Sequence, residues 1–192
     1  MDVLYYFWPY PDEAGNRAQL SESEAKARGR YNRALGREGH VLQIEAWDAG
    51  KLTYVEYPDV AVEGQRQALL QHRGSYPGVP ARMVAPAKAS TGHMFKLRNF
   101  YSPEGELERG EGAYYVSDPD KPYKVVYRHA DGSIERVFEY EYDARGLCTM
   151  EKEFDGDGKV VEHLEYEYDD NGNEFLRREI FPDGTSFETE AL

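Results

Sequence analysis

Carboxylates recur at a fixed spacing in the C-terminal half of the chain. The pentapeptide EYEYD occurs at 139–143 and again at 165–169. Carboxylates in such numbers could act as general acid and base, hold a cation or contact a basic partner. Residues two apart on a strand share one face. The spacing therefore predicts one acidic row on a sheet, formed by Glu139, Glu141, Glu165 and Glu167.

This acidic row is the strongest candidate for a binding surface. Strand-face carboxylates are mostly solvated, and the other role that we expect for them is contact with a partner. His163 lies on the same predicted face, and Asp169 and Asp170 follow the second EYEY run. We include these three residues in the candidate surface. The aromatic N-terminal cluster adds Trp8 and Tyr10, because it holds more aromatic side chains than one strand face can bury.

We expect the other potentially reactive residues to have structural rather than catalytic roles. Asp155 and Asp157 resemble the start of a calcium loop, but the residues after Gly158 lack the further ligands, so we expect a plain turn. The five histidines lack metal-ligand spacing, and no base is identifiable for Cys148. No phosphate-binding glycine motif occurs. We expect a non-enzymatic protein without metal or cofactor.

Two rival functions follow from other features of the sequence. Exposed tyrosine and tryptophan rings could stack on a ligand, which would make the chain a carbohydrate- or peptide-binding module. A small hydrolase in the N-terminal half would need a deep pocket that joins a carboxylate to one of the histidines there, His40, His72 or His93.

Charge is unevenly distributed along the 192 residues. The net charge is −13, yet residues 1–99 carry 13 Lys/Arg against 11 Asp/Glu, and residues 100–192 carry 10 against 25. A field of one sign attracts an oppositely charged partner and repels nucleic acid and anionic lipid. We expect a basic protein partner, with no nucleic acid and no membrane. One cysteine and no apparent signal sequence favour a cytoplasmic location, and the oligomeric state stays open.

The N-terminal half has mixed local signals. Ser21 and Glu24 form a capping box, and Tyr31, Ala34 and Leu35 recur at helical spacing, so we predict a helix that stops at Gly36 or Gly39. Three strands and a second helix complete this half; the predicted ranges are Val3–Tyr10, His40–Trp47, Lys51–Tyr57 and, for the helix, Val62–His72.

The C-terminal half is a repeat. Residues 129–154 and 155–180 are two copies of a 26-residue unit, and a third copy begins at Phe181. Asp and Gly at regular intervals predict tight turns between strands of an antiparallel meander. One face should be aromatic and the other should carry the acidic row. Whether Lys152 neutralises that row depends on the strand register.

The units EYEYDARG and EYEYDDNGN, each followed by a D-x-D-G or P-D-G turn, resemble YD repeats of the Rhs type. They are also similar to variant MORN-type repeats in bacterial antitoxin-like proteins. The resemblance covers roughly 93–192. It implies an immunity protein or antitoxin that binds and blocks a cognate toxin effector domain.

These observations lead to an α+β fold. We predict a long antiparallel β-meander of YD-like repeats in the C-terminal half, with two helices contributed by the N-terminal half. The predicted organisation is a strand–helix–hairpin–helix region at 1–75, a Pro/Gly/Ala-rich loop or linker at 76–92 and the acidic repeat meander at 93–192, packed with 1–75 as one globular unit.

Overall fold

The structure is a computed structural model that describes residues 2–7, 18–90, 93–116, 118 and 120–190. It is a mostly-sheet α+β protein with two α-helices in the described residues. Its contacts divide into two compact units. The first unit contains 1–86 and 98–108, and the second contains 87–97 and 109–192. Within the described residues, neither helix has the length and apolar composition needed to cross a bilayer.

The first unit is a sheet accompanied by both helices. Its helices are α1 Glu22–Arg28 and α2 Gln65–Ser75, and a 3-10 turn at Val62–Gly64 precedes α2. Its own strands are β1 Asp2–Phe7, β2 Gln19–Leu20, β3 Arg30–Arg37, β4 His40–Asp48, β5 Lys51–Tyr57 and β6 Ala81–Val84. The order of these strands is β6-β5-β4-β3-β1-β2, and only the β5–β6 pair is parallel among the strand pairs described.

The second unit is an antiparallel meander. Two strands contribute residues to both units, β8 His93–Tyr101 and β9 Leu107–Tyr115. The short strand β7 Lys88–Ser90 pairs with the start of β8. The remaining strands follow β9 in sequence order and pair with their neighbours: β10 Pro122–His129, β11 Ile134–Tyr142, β12 Cys148–Asp155, β13 Val160–Tyr168, β14 Glu174–Ile180 and β15 Ser186–Glu190.

The first predicted helix is shorter than expected. The capping box is confirmed, because the Glu24 N–H donates to Ser21 Oγ and the Ser21 N–H donates back to the Glu24 carboxylate. Gly29, with φ 74°, then ends the helix in the left-handed region. The predicted extension through Leu35 is wrong, since Arg30–Arg37 forms β3. Tyr31 instead packs in the core formed with Leu20 and Ala25.

The other N-terminal elements agree more closely with the sequence. The hairpin of β4 and β5 is confirmed, and Ala49 and Gly50 take positive φ at its turn. The second helix is confirmed but ends at Ser75, three residues later than predicted. Two strands, β6 and β7, lie within 76–92, where the sequence suggested a loop or linker. Met83 of β6 is fully buried, which explains why this segment is ordered as a strand.

Helix α2 packs on its sheet through polar side chains. The Gln65 Oε1 atom accepts a 2.7 Å hydrogen bond from Asn99 Nδ2. His72 is 1% exposed, and its Nδ1 lies 2.9 Å from the Tyr57 hydroxyl. Its Nε2 lies 2.7 Å from the Val79 carbonyl oxygen. Because both ring nitrogens have partners, this buried histidine is fully satisfied.

A five-residue turn joins successive strands of the meander. At 143–147, the Gly146 N–H donates to the Asp143 carbonyl at 2.9 Å, and the Asp143 N–H donates to the Leu147 carbonyl at 2.9 Å. Gly146 has φ 82°, a conformation that favours glycine. The same pair of hydrogen bonds occurs in the turns at 129–133, 155–159, 169–173 and 181–185. The predicted turn at Asp155–Gly158 is therefore confirmed.

Candidate functional site

The four predicted glutamates lie on one face of the meander. In the register of β11, β12 and β13, Glu139 lies opposite Lys152, and Lys152 lies opposite His163. On the next strand, Arg178 lies opposite Glu165. We call this surface the ladder face; its residues are Glu139, Glu141, Met150, Lys152, His163, Glu165, Glu167, Leu176 and Arg178.

Basic residues separate the carboxylates of the ladder face. The sequence left open whether Lys152 neutralises the acidic row. The strand register places Lys152 between the two glutamate-bearing strands. Glu139 also forms a 2.9 Å ion pair with Lys124 of β10. Glu165 pairs with Arg178 at 3.2 Å. Alternation of sign across neighbouring strands favours the sheet, whereas carboxylates directly opposite each other would destabilise it.

Two of the predicted glutamates point into solvent. Glu141 and Glu167 are exposed. Within the described residues Glu141 has no ion pair, and Glu167 has only a long one, 3.7 Å from Arg178. Both line a cleft of about 350 Å³ that also includes Met150 and Leu176. The cleft therefore combines an acidic rim with apolar side chains.

His163 is less exposed than Glu165, Glu167 and Arg178 of the cleft. Its side chain is 17% exposed, and its Nε2 lies 3.5 Å from Glu165 Oε1. Burial, followed by the positive charge of Lys152, lowers the pKa of His163 below its usual value. The neutral ring therefore dominates at pH 7. His163 contributes polar surface to the cleft without cancelling the negative charge there.

The remaining predicted site residues lie in a turn or outside the described residues. Asp169 belongs to the turn at 169–173, where its Oδ1 accepts from the N–H groups of Asn171 and Asn173 at 2.9 and 2.8 Å. A 3.0 Å hydrogen bond from the Asn173 side chain, followed by the bonds from the N–H groups, lowers the pKa of Asp169. Asp170 is exposed beside it. Trp8 and Tyr10 lie outside the described residues.

The opposite face holds the repeated tyrosines, and we call it the tyrosine face; its residues are Tyr140, Tyr142, Glu151, Glu153, Glu162, Leu164, Tyr166 and Tyr168. The rings are half-buried. Burial raises the pKa of Tyr142 and of Tyr166 to about 12. The aromatic character of this face was predicted from the sequence, and its acidic residues were not. Glu153 lies opposite Glu162 in the β12–β13 register, and Arg136 lies 2.9 Å from Glu153.

Cys148 and His72 are two of the groups that were considered for catalysis. Burial raises the pKa of the half-buried Cys148 thiol, which disfavours the reactive thiolate. His72 is buried, and its ring nitrogens are occupied by the contacts described above. No group of three metal-binding side chains is found in the described parts of the chain. The ladder face therefore offers charge and shape for contact with a partner.

Comparisons with known proteins give no identification of the chain. No family model matches it, and no curated protein matches it. The resemblance of the EYEYD units to YD and MORN-type repeats therefore stays a prediction.

Proposed function

We propose that this chain is a non-enzymatic immunity protein, or antitoxin, that binds and neutralises a cognate bacterial toxin domain. The contact surface in this proposal is the ladder face, and the toxin domain is basic. Support comes from the acidity of residues 100–192, with 25 Asp/Glu against 10 Lys/Arg, and from the arrangement of charge on the ladder face.

The main support for the proposal is Arg178, a single cation that three carboxylates share. Arg178 lies 3.2 Å from Glu165, 3.7 Å from Glu167 and 2.8 Å from Glu188. A single guanidinium offsets one of these three negative charges, so an excess of two remains around it. Glu141, across the cleft, adds another negative charge, and Lys152 in the same cleft offsets one. Carboxylates this close repel each other, and a cationic side chain from a partner relieves that repulsion.

The apolar part of the cleft favours a long basic side chain. Met150 lies opposite both Glu141 and Glu165 in the strand register, and Leu176 lies opposite Glu167. Lysine and arginine bury their aliphatic stems on apolar surface while the charged end stays near polar groups. In the proposed complex, the stem of a toxin residue lies on Met150 and Leu176, and its charge lies among the glutamates.

The test is calorimetric titration of the full chain with the C-terminal domain of any large toxin that a neighbouring gene encodes. We expect saturable binding that weakens when the NaCl concentration rises from about 50 to about 300 mM, since salt screens exposed charges. Inhibition of the toxin should follow the fraction bound. Absence of binding, or a complex in which the toxin keeps full activity, would overturn the proposal.

The rival function, a carbohydrate- or peptide-binding module, makes a different prediction. Stacking on neutral ligands would use exposed rings and would depend little on salt. In the described meander, the tyrosine rings of the repeats are half-buried, and the Tyr142 and Tyr168 hydroxyls donate to backbone carbonyls. Salt-independent binding to a neutral glycan would favour this rival over an antitoxin.

A further inference from the structure

One edge of the meander has no partner strand within the described residues. Strand β15 pairs with β14 on one side and is the outermost strand of the order on the other. Antiparallel pairing on one side of a strand uses the backbone N–H and C=O groups of alternate residues. The groups of the other residues of β15 therefore point away from β14, and all five residues of the strand are exposed. We call this the open edge; its residues are Ser186, Phe187, Glu188, Thr189 and Glu190.

The β14–β15 pair lacks the register shift that the strand pairs before it contain. Every pair from β9–β10 to β13–β14 has one such shift. The β14–β15 pair instead keeps a single register, from Leu176 opposite Glu190 to Ile180 opposite Ser186. A bulge, a proline or a lysine often protects an edge strand from pairing with another chain, and β15 has none of these. The open edge is therefore suited to accept a further strand.

The charges on the neighbouring strands indicate which kind of strand fits the open edge. Arg178 of β14 lies 3.2 Å from Glu165 of β13 and 2.8 Å from Glu188 of β15. Glu190 is on the same face as Glu188, because residues two apart on a strand point the same way, and it has no ion pair within the described residues. Charge therefore alternates in sign from β13 to β15, and a cation would continue the series on the next strand.

The same charges disfavour a second copy of this chain at the open edge. The sequence of β15 is SFETE, which contains two carboxylates and no basic residue. Pairing two copies of β15 would add carboxylates without adding a cation for any of them, and like charges on adjacent strands destabilise a sheet. A basic strand from another protein meets no such repulsion.

We propose that the open edge binds an extended basic segment of a partner protein by strand addition. The backbone of the segment pairs with that of β15, and its lysine or arginine side chains lie beside Glu188 and Glu190. The side chains between them are apolar and cover the ring of Phe187, which is 61% exposed on the other face. In this mode, backbone hydrogen bonds give affinity and alternate side chains give specificity. The inference goes beyond the antitoxin proposal and does not depend on it, because the segment is recognised by its alternating charge.

Fluorescence anisotropy of the full chain with a labelled synthetic peptide tests the open edge. In the probe, lysine and valine alternate over about seven residues, the length of a short strand. The control peptide has the same sequence with every backbone amide N-methylated. At about 50 mM NaCl we expect saturable binding of the probe and at least about tenfold weaker binding of the control, because methylation removes the backbone donors and keeps the charge. Equal binding of the two peptides would show adsorption by charge alone and would overturn the inference.

Variants of the two glutamates locate the site. Glu188→Gln/Glu190→Gln should weaken binding of the probe about tenfold, because it removes the two charges beside the lysines. Glu104→Gln/Glu106→Gln makes the same charge change at exposed positions of the first unit and should leave binding unchanged. Circular dichroism shows whether each variant keeps the fold, and the comparison of the two peptides needs only the wild type.

Three results would contradict strand addition by a basic segment. The first is no saturable binding of the probe, and the second is equal affinity of the folded Glu188→Gln/Glu190→Gln variant and the wild type. The third is a dimer of the chain in analytical ultracentrifugation that the probe dissociates, which would assign the open edge to a second copy instead.

Discussion

The Tyr168 hydroxyl donates a 2.8 Å hydrogen bond to the Cys148 carbonyl oxygen across the β12–β13 hairpin. Twenty-six residues earlier, the Tyr142 hydroxyl makes the same contact with the Pro122 carbonyl at 3.0 Å. The sequence period is therefore also a structural period: equivalent tyrosines connect the last residue of one strand to the first residue of an earlier one.

This repeated contact predicts matched losses of stability. Removing the hydroxyl in Tyr142→Phe or Tyr168→Phe should lower the free energy of unfolding by about 1 kcal/mol each, measured by urea denaturation. Tyr123→Phe is the control, because no hydrogen bond of that hydroxyl is found within the described residues. A loss in the control as large as in the two variants would contradict the assigned role of the hydroxyls.

Glycine substitutions separate turn strain from helix propensity. Gly158 has φ 81° and open space around it, so Gly158→Ala should cost about 1 kcal/mol from backbone strain alone. Gly74 lies in α2, also with open space, and Gly74→Ala should add about 0.5 to 1 kcal/mol of stability. Thermal denaturation measures both. The same sign of effect in the two variants would contradict the turn geometry.

Removing the cation beside the buried carboxylate of Glu45, in the first unit, should lower the free energy of unfolding more than removing one tyrosine hydroxyl. Glu45 is 2% exposed, and its carboxylate accepts hydrogen bonds from Arg33 and from the Trp47 indole. Arg33→Met leaves this buried charge without its cation and should cost about 2 to 3 kcal/mol in urea unfolding. Arg37→Met, at an exposed position, should change stability by less than about 0.5 kcal/mol. Similar losses in both variants would contradict this account.

Glu151 predicts a pH-dependent effect on stability. Burial, with Glu162 and Glu153 nearby, raises its pKa above 4.5. A raised carboxyl pKa means that the folded protein holds this proton more tightly than the unfolded chain. Protonation therefore stabilises the fold fully below pH 4.5, and this contribution is lost as pH rises through the raised pKa.

Glu151→Gln tests that linkage. The variant should melt at the same temperature as the wild type near pH 4, where both side chains are neutral, and at a higher temperature at pH 7. Glu106→Gln, at an exposed position, provides the control and should show no such trend. A melting-temperature difference for Glu151→Gln that is independent of pH, or that shrinks towards pH 7, would contradict the burial of this carboxyl.

Local signals predicted the turns, hairpins and capping box, because each depends on a few neighbouring residues. The helical spacing of Tyr31 and Leu35 led to the wrong prediction of a helix. The strand β3 is buried along almost its whole length, so it lacks the alternation of apolar and polar residues that is typical of a strand. The position of Lys152 also escaped prediction. Register in β12 depends on irregularities near Tyr142 and Phe154 that the sequence does not reveal.

A pocket of about 530 Å³ in the first unit, lined among others by Arg30, Arg82 and Arg98, was not predicted for a related reason. Its residues come from five strands that are far apart in the sequence, as the separation of Arg30 from Arg98 illustrates. No local motif connects them, and only the strand order brings them together. The four glutamates of the ladder face were predictable, because a short repeat places them on adjacent hairpins.

The rate of association with the toxin domain tests the central claim most directly. Glu141→Lys/Glu167→Lys reverses the two exposed charges of the cleft and leaves the Glu139–Lys124 ion pair intact. Stopped-flow measurements at low salt should show association about tenfold slower, and the effect should shrink as salt is added. The matched control, Glu104→Lys/Glu106→Lys, makes the same charge change at exposed positions in a turn of the first unit and should have little effect. Unchanged association in the cleft variant, or equal slowing in both, would contradict binding through the ladder face.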